Sequence, residues 1–103
     1  MKFTIREDAK DEAAGHVAWF AERNPQAAER LSELFVAAIK EIAHQPMSFP
    51  LLEYRRNPGN IRRARLKKFP IMILYQVFED EIYVFAVAHT SQRPGYWRSR
   101  IRK

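Results

Sequence analysis

Residues 61–89 read IRRARLKKFPIMILYQVFEDEIYVFAVAH, and the order of apolar and polar positions in this stretch decides the fold. From Pro70 to Phe78 and again from Glu81 to His89, apolar side chains fall on both alternating faces, as in central strands covered on each side. Glu79-Asp80-Glu81 separates the two with a short polar turn, which predicts an antiparallel hairpin. Upstream, Ile61 to Phe69 alternates Arg63, Arg65 and Lys67 with Ala64 and Leu66, giving a third strand with one strongly cationic edge. Three consecutive strands need cover on two faces, and the rest of the chain must supply it.

Toward the N-terminus, Phe3 and Ile5 alternate with polar neighbours and predict a short strand with one buried face. Asp8 is placed to cap a helix, since its carboxylate can accept a free N–H of the first turn. Ala9, Ala13, Val17 and Phe20 follow at helical spacing, a stripe of mostly small residues that lets a neighbouring backbone approach. Asn24-Pro25 stops this helix and restarts another, because proline disfavours helix at the residue before it and suits the first helical position itself. The second helix runs from Pro25 to about His44, with Ala28, Leu31, Phe35, Ala38 and Ile42 on one face, and Gln45-Pro46 ends it. Met47 to Asn60, with Pro50 and Gly59, predicts a loop skirting the surface. The element order is βααβββ: an α+β chain in which the N-terminal strand and a helical hairpin pack on one face of a small, mainly antiparallel sheet. The other face is left for the C-terminal segment and for a partner.

With 103 residues, no internal repeat and no linker, the chain is expected to form one domain over 1–103, carrying a basic C-terminal tail from about residue 94. Cysteine is absent, which excludes disulfides and thiolate metal sites. The longest apolar runs are far shorter than a membrane span, and MKFTIREDAKDE turns acidic where a signal peptide needs an apolar stretch, so a cytoplasmic protein with no membrane association is expected. The net charge of +6 is unevenly divided. Residues 1–54 hold six Lys and Arg against nine Asp and Glu, whereas residues 55–103 hold twelve against three. Arg55 to Lys68 and Arg93 to Lys103 contain no acid at all. This asymmetry favours a basic face directed at an acidic partner, nucleic acid or protein.

Chemistry-bearing constellations are few. His16, His44 and His89 fall on separate elements without the spacing of a metal site, and His89, at the end of a strand, is expected to be a hydrogen-bonded structural residue. There is no nucleophile elbow, phosphate-binding loop or dinucleotide fingerprint, so no cofactor is expected. What remains is a set of basic and aromatic groups: Arg62, Arg63, Arg65, Lys67, Lys68, Arg93, Tyr96, Trp97, Arg98 and Arg100. Such groups can hold phosphates and bases, or clamp a carboxylate-bearing segment with Tyr and Trp as anchors.

Four segments, ERNPQAAERL, HQPMSFPLL, IRRARLKKFPIMILYQV and DEIYVFAVAHTSQRPGYWRSR, in this order along nearly the whole chain, resemble the RelE/ParE superfamily of type II toxin–antitoxin toxins, in its ParE-like branch. The resemblance implies a toxin held inactive by a cognate antitoxin in a hetero-oligomer. Two mechanisms divide that superfamily: ParE-like members poison DNA gyrase, and RelE-like members cleave mRNA on the ribosome with arginines and a C-terminal tyrosine. Aligned on FPIMILYQV and HTSQRPGYW, the positions of the ribonuclease branch's two arginines fall on Met72 and Ser91, and its tyrosine on Trp97 beside Tyr96. The resemblance therefore implies a gyrase-directed toxin without a catalytic site, whose contact residues are Arg62, Arg63, Arg65, Lys67, His89, Arg93, Tyr96, Trp97, Arg98 and Arg100. The alternatives are an mRNA endonuclease using Arg63, Arg65, Lys67, Arg93 and Tyr96, and a degenerate toxin that only binds its antitoxin. The antitoxin's contacting segment is expected to be amphipathic and acidic, covering an exposed apolar sheet face through which the free toxin would self-associate.

Overall fold

The computed structural model describes residues 1–54, 56–57 and 59–102. Arg55 and Lys103, which belong to the two acid-free blocks, and Pro58 of the loop lie outside the described residues. Strand β1 (Lys2–Ile5) leads into helix α1 (Glu7–Arg23) and helix α2 (Pro25–His44), and the strands β2 (Arg62–Arg65), β3 (Ile71–Val77) and β4 (Glu81–His89) follow. They form one sheet in the order β1-β4-β3-β2, with β1 parallel to β4 and the other pairs antiparallel. This is the βααβββ order read from the sequence.

The helical hairpin buries Ala9, Leu31 and Ile42 against Ala64, Ile71, Ile73, Tyr75, Ile82, Val84 and Val87 of the sheet. Leu31 and Ile42 are fully enclosed, and each contributes roughly 1.5–3 kcal/mol by leaving water. Asn24 joins the helices as read: its side chain accepts from the Ala27 N–H at 3.2 Å, and Pro25 begins α2. The start of α1 differs from expectation. Arg6 occupies the capping position without a side-chain cap bond, and Asp8 lies inside the first turn, where its carboxylate takes the Arg6 Nε–H at 2.8 Å. That position still sets a negative charge at the positive end of the helix.

The cationic strand is shorter than its alternation suggested. It ends at Arg65 because Leu66 to Phe69 form a tight turn, with the Phe69 N–H on the Leu66 carbonyl at 3.1 Å and Lys68 in the left-handed region at φ 70°. The loop before it does more than skirt the surface. Its Leu51 bridges to Arg62, and its Leu52 N–H bonds the Ile61 carbonyl at 2.8 Å, so it closes the outer edge of β2.

The second sheet face corrects the sequence reading most. Tyr83, Phe85, Ala86, Ala88 and Leu74 are covered by Trp97, with Leu52, Tyr54, Tyr96 and Ile101 packed around them. The C-terminal segment, read as a basic tail and as part of this face's cover, is a lid on the sheet, its short 3₁₀ turn at Arg98–Arg100 included. Gln76, buried in β3, holds it down by donating to the Arg102 carbonyl at 2.6 Å and accepting the Arg102 N–H at 2.9 Å. The apolar face expected to await a partner, and to drive self-association, is closed by the chain itself.

At the sheet's end, Glu81 accepts the Thr4 hydroxyl at 2.6 Å and pairs with Arg102 at 2.7 Å. The Thr4 bond first, and Arg102 after it, hold this carboxyl below its ordinary value of 4.5. A carboxyl depressed in the folded state contributes stability that is complete above the unfolded value and is lost as pH falls through the folded one. The melting midpoint is therefore expected to fall with pH below about 4.5, and to fall less steeply in E81Q, as checked by thermal denaturation from pH 6 to pH 3.

Candidate functional site

The basic and aromatic candidates do not form one site. The pairing of Arg63 with Leu74 and of Arg65 with Met72 places both arginines on the face covered by Trp97. Arg62 is turned to the other face, donating to the Phe49 carbonyl at 2.6 Å. Lys67 and His89 also belong to the helix side, one beside Phe20 and the other with its ring 6.0 Å from that of His16.

On the lid side, a cleft of about 200 Å³ at the end of β4 is lined by Leu52, Tyr54, Met72, Ala88, Arg93, Tyr96 and Trp97 among others. Its floor is apolar where Met72 and Ala88 pair across β3 and β4. Trp97 is 3% exposed, with its ring 5.0 Å from Tyr54 and 5.5 Å from Phe85, so it is a core residue rather than a presented anchor. Gly95, at φ 84°, allows the chain to pass Tyr54, since a Cβ there would run into the Tyr54 hydroxyl. Arg98 donates to that same hydroxyl at 2.7 Å.

The lid is tied to α1 by Glu12, a residue the sequence did not single out. β1 accompanies β4 only as far as Val84, which leaves the backbone groups of Phe85 and Val87 without a strand beside them. Side chains take its place. Glu12 accepts the Val87 N–H at 2.9 Å, His16 donates from Nε2 to the Val87 carbonyl at 3.0 Å, and Arg100 donates to the Phe85 carbonyl at 3.1 Å. Glu12 also accepts the Tyr96 hydroxyl at 2.8 Å and Arg100 at 3.1 Å, and Arg100 reaches Asp8 at 3.4 Å. Burial first, and the bond to Glu12 next, push the Tyr96 hydroxyl well above the ordinary tyrosine range.

His89 accepts the Ser91 N–H on Nδ1 at 3.0 Å, with the Ser91 hydroxyl 2.7 Å away. In the neutral ring this leaves the proton on Nε2, so His89 presents a donor rather than a metal lone pair. No cluster of three His, Asp or Glu suited to a metal occurs among the described residues. No helix among them is long and apolar enough to cross a membrane.

The family profile described as the ParE toxin of the type II toxin-antitoxin system, parDE, matches residues 3–94. The chain belongs to the ParE toxin family. A solved structure described as the chromosomal ParDE toxin–antitoxin system from P. aeruginosa matches with a TM-score of 0.68 at 19% identity, over 86% of this chain and 95% of that one, and so shares the fold. No curated protein sequence matches. Within this ParE toxin, Trp97, Arg98, Arg100 and Tyr96 lie beyond the profile match, in the lid.

Proposed function

We propose that this ParE-family toxin acts by binding and poisoning DNA gyrase, and that a cognate antitoxin neutralises it. The observation that carries the choice is the chemistry of the cleft at the end of β4. Where an mRNA endonuclease of the superfamily would hold a guanidinium, this chain has Met72 against Ala88. A thioether cannot stabilise the charge that develops on a phosphate in transfer. The phenol available there, Tyr96, is already donated to Glu12, and its raised pKa makes it a poor proton carrier near neutral pH. Arg63, Arg65 and Arg93 remain as groups for contact with an acidic or DNA-bearing target, while Trp97 and Arg100 support the lid.

Purified toxin is expected to inhibit supercoiling by gyrase and to accumulate cleaved DNA, and to give no new stops in toeprinting on translating ribosomes. Ribosome-dependent cleavage without an effect on gyrase would replace this reading with the endonuclease one. If neither occurs and expression does not slow growth, the chain is a degenerate toxin that retains antitoxin binding alone.

A further inference from the structure

Charge in this molecule is sorted as well as being in excess. Of the twelve acids, eight lie on α1 and α2, and Glu79, Asp80 and Glu81 lie at the turn that leads from β3 into β4. Only Glu53 remains for the lid side at the opposite end of that hairpin, where it lines the small cleft. Four arginines stand there without an acidic partner among the described residues: Arg63, Arg65, Arg93 and Arg98. Arg65, Met72 and Ala88 form one row across β2, β3 and β4, and Arg63, Leu74 and Ala86 form the next. Arg93 borders the cleft floored by Met72 and shares an adjoining hollow with Arg98, so the four follow one another from the β2 edge to the lid. Lys67 and Lys68 also lack an acidic partner, but they adjoin the helical hairpin, whose eight acids outnumber its four Lys and Arg and repel a polyanion.

We infer that this arginine face takes the phosphate backbone of duplex DNA, the segment that gyrase holds. The inference rests on the gyrase reading above and adds the ligand and the face that meets it. Guanidinium forks match phosphate oxygens in pairs, and four such contacts make a sequence-independent, salt-dependent grip. Bases are not read, because the aromatic faces are engaged: Trp97 is buried between Tyr54 and Phe85, and the Arg100 guanidinium lies over the Tyr96 ring at 5.3 Å. A single strand needs an open stacking platform, whereas a duplex presents its backbone outward and requires none. An acidic protein segment suits the face less well. Its affinity needs an apolar anchor, and the cleft among these arginines holds about 200 Å³, below the roughly 300–1,000 Å³ of ordinary binding pockets. The sorted charge also orients the encounter, since the helical side repels DNA while the lid side attracts it.

The first test needs no gyrase: the purified toxin is titrated with a fluorescent duplex oligonucleotide of mixed sequence from about 50 to 200 mM salt. Binding is expected with a Kd of roughly 1–100 μM at physiological salt and a log–log salt slope of about −3.6, the value for four phosphate contacts. R65Q/R93Q removes two exposed arginines that make no side-chain bond, so it is expected to melt like the wild type. It should flatten the slope to about −1.8 and bind roughly 100-fold more weakly at about 50 mM salt. R30Q/K68Q, on the hairpin side, is the control and leaves slope and affinity nearly unchanged. Absence of salt-linked duplex binding would overturn the inference. So would an equal loss in R30Q/K68Q, which would make the charge diffuse, or tighter binding to a single strand than to the duplex. With gyrase present, R65Q/R93Q should need roughly tenfold more toxin to accumulate the same cleaved DNA, and an unchanged requirement would overturn the assignment of this face to gyrase-held DNA. Duplex binding by a wild-type toxin that leaves gyrase unaffected would instead strike the gyrase reading.

Discussion

Glu12→Ala is expected to destabilise the fold by about 2–4 kcal/mol, lowering the melting midpoint by roughly 10–20 °C, the largest effect of any change on the surface of α1. The reason is the number of groups one carboxylate serves. It holds the Val87 N–H of the sheet, the Tyr96 hydroxyl of the lid and the Arg100 guanidinium, while being only 18% exposed. Alanine leaves a buried backbone donor without an acceptor and removes one of the two carboxylates facing Arg100, and orphaned groups cost more than the bonds contribute. E12Q separates the two parts. It keeps an acceptor for the Val87 N–H and can donate from its amide nitrogen to the Tyr96 oxygen but loses the charge, so its loss should be about half that of alanine, as thermal denaturation would show. Equal midpoints for E12A and the wild type would mean that the lid does not depend on α1.

Trp97→Ala is expected to cost about 3–5 kcal/mol, the scale for removing a buried indole. The indole fills the space between Tyr54 and Phe85 on the sheet's second face. Its loss should also change solution behaviour, because Phe85, Leu74 and Ile61 lose part of their cover and exposed sheet faces associate. The measurements are the denaturation midpoint and the elution volume on size exclusion. W97F should recover most of the stability and remain monodisperse. A W97A protein that melts like the wild type would show that residues 96–102 do not cover the sheet in solution.

The strands and helices were legible where periodicity is set by burial. Glu81–His89 is a strand over the residues its apolar run marked, and Asn24-Pro25 divides the helices as proline chemistry requires. The cationic strand was drawn too long, since alternation continues through Lys67 while the backbone has already turned at Leu66, and Lys68 carries no sequence sign of a left-handed residue. Basic residues near the end marked a tail, and local composition cannot show that the carboxylates of Arg100 lie some ninety residues away on α1. The candidate site suffered from the same blindness. Ten basic and aromatic positions were grouped by type, but the pleat sends Arg63 and Arg65 to one face and Arg62 to the other, and a residue's partners decide whether its charge remains available. Glu12 left only a faint signal, an acid beside the apolar stripe of Ala9, Ala13 and Val17.

The parallel pairing of β1 with β4 also governs when the molecule can come into being. Lys2 to Ile5 lie against Glu81 to Val84, and the lid that pins α1 comes later still. During synthesis the first strand therefore waits, without its hydrogen-bonding neighbour, until both helices, β2, β3 and Glu81 to Val84 have been made. Helices α1 and α2 can form early, but they have no sheet to cover until β3 and β4 emerge. A chain stalled before Glu81 has no partner strand for β1 and no complete sheet under the hairpin's apolar stripe, so such a fragment is expected to be cut by proteases faster than the full fold.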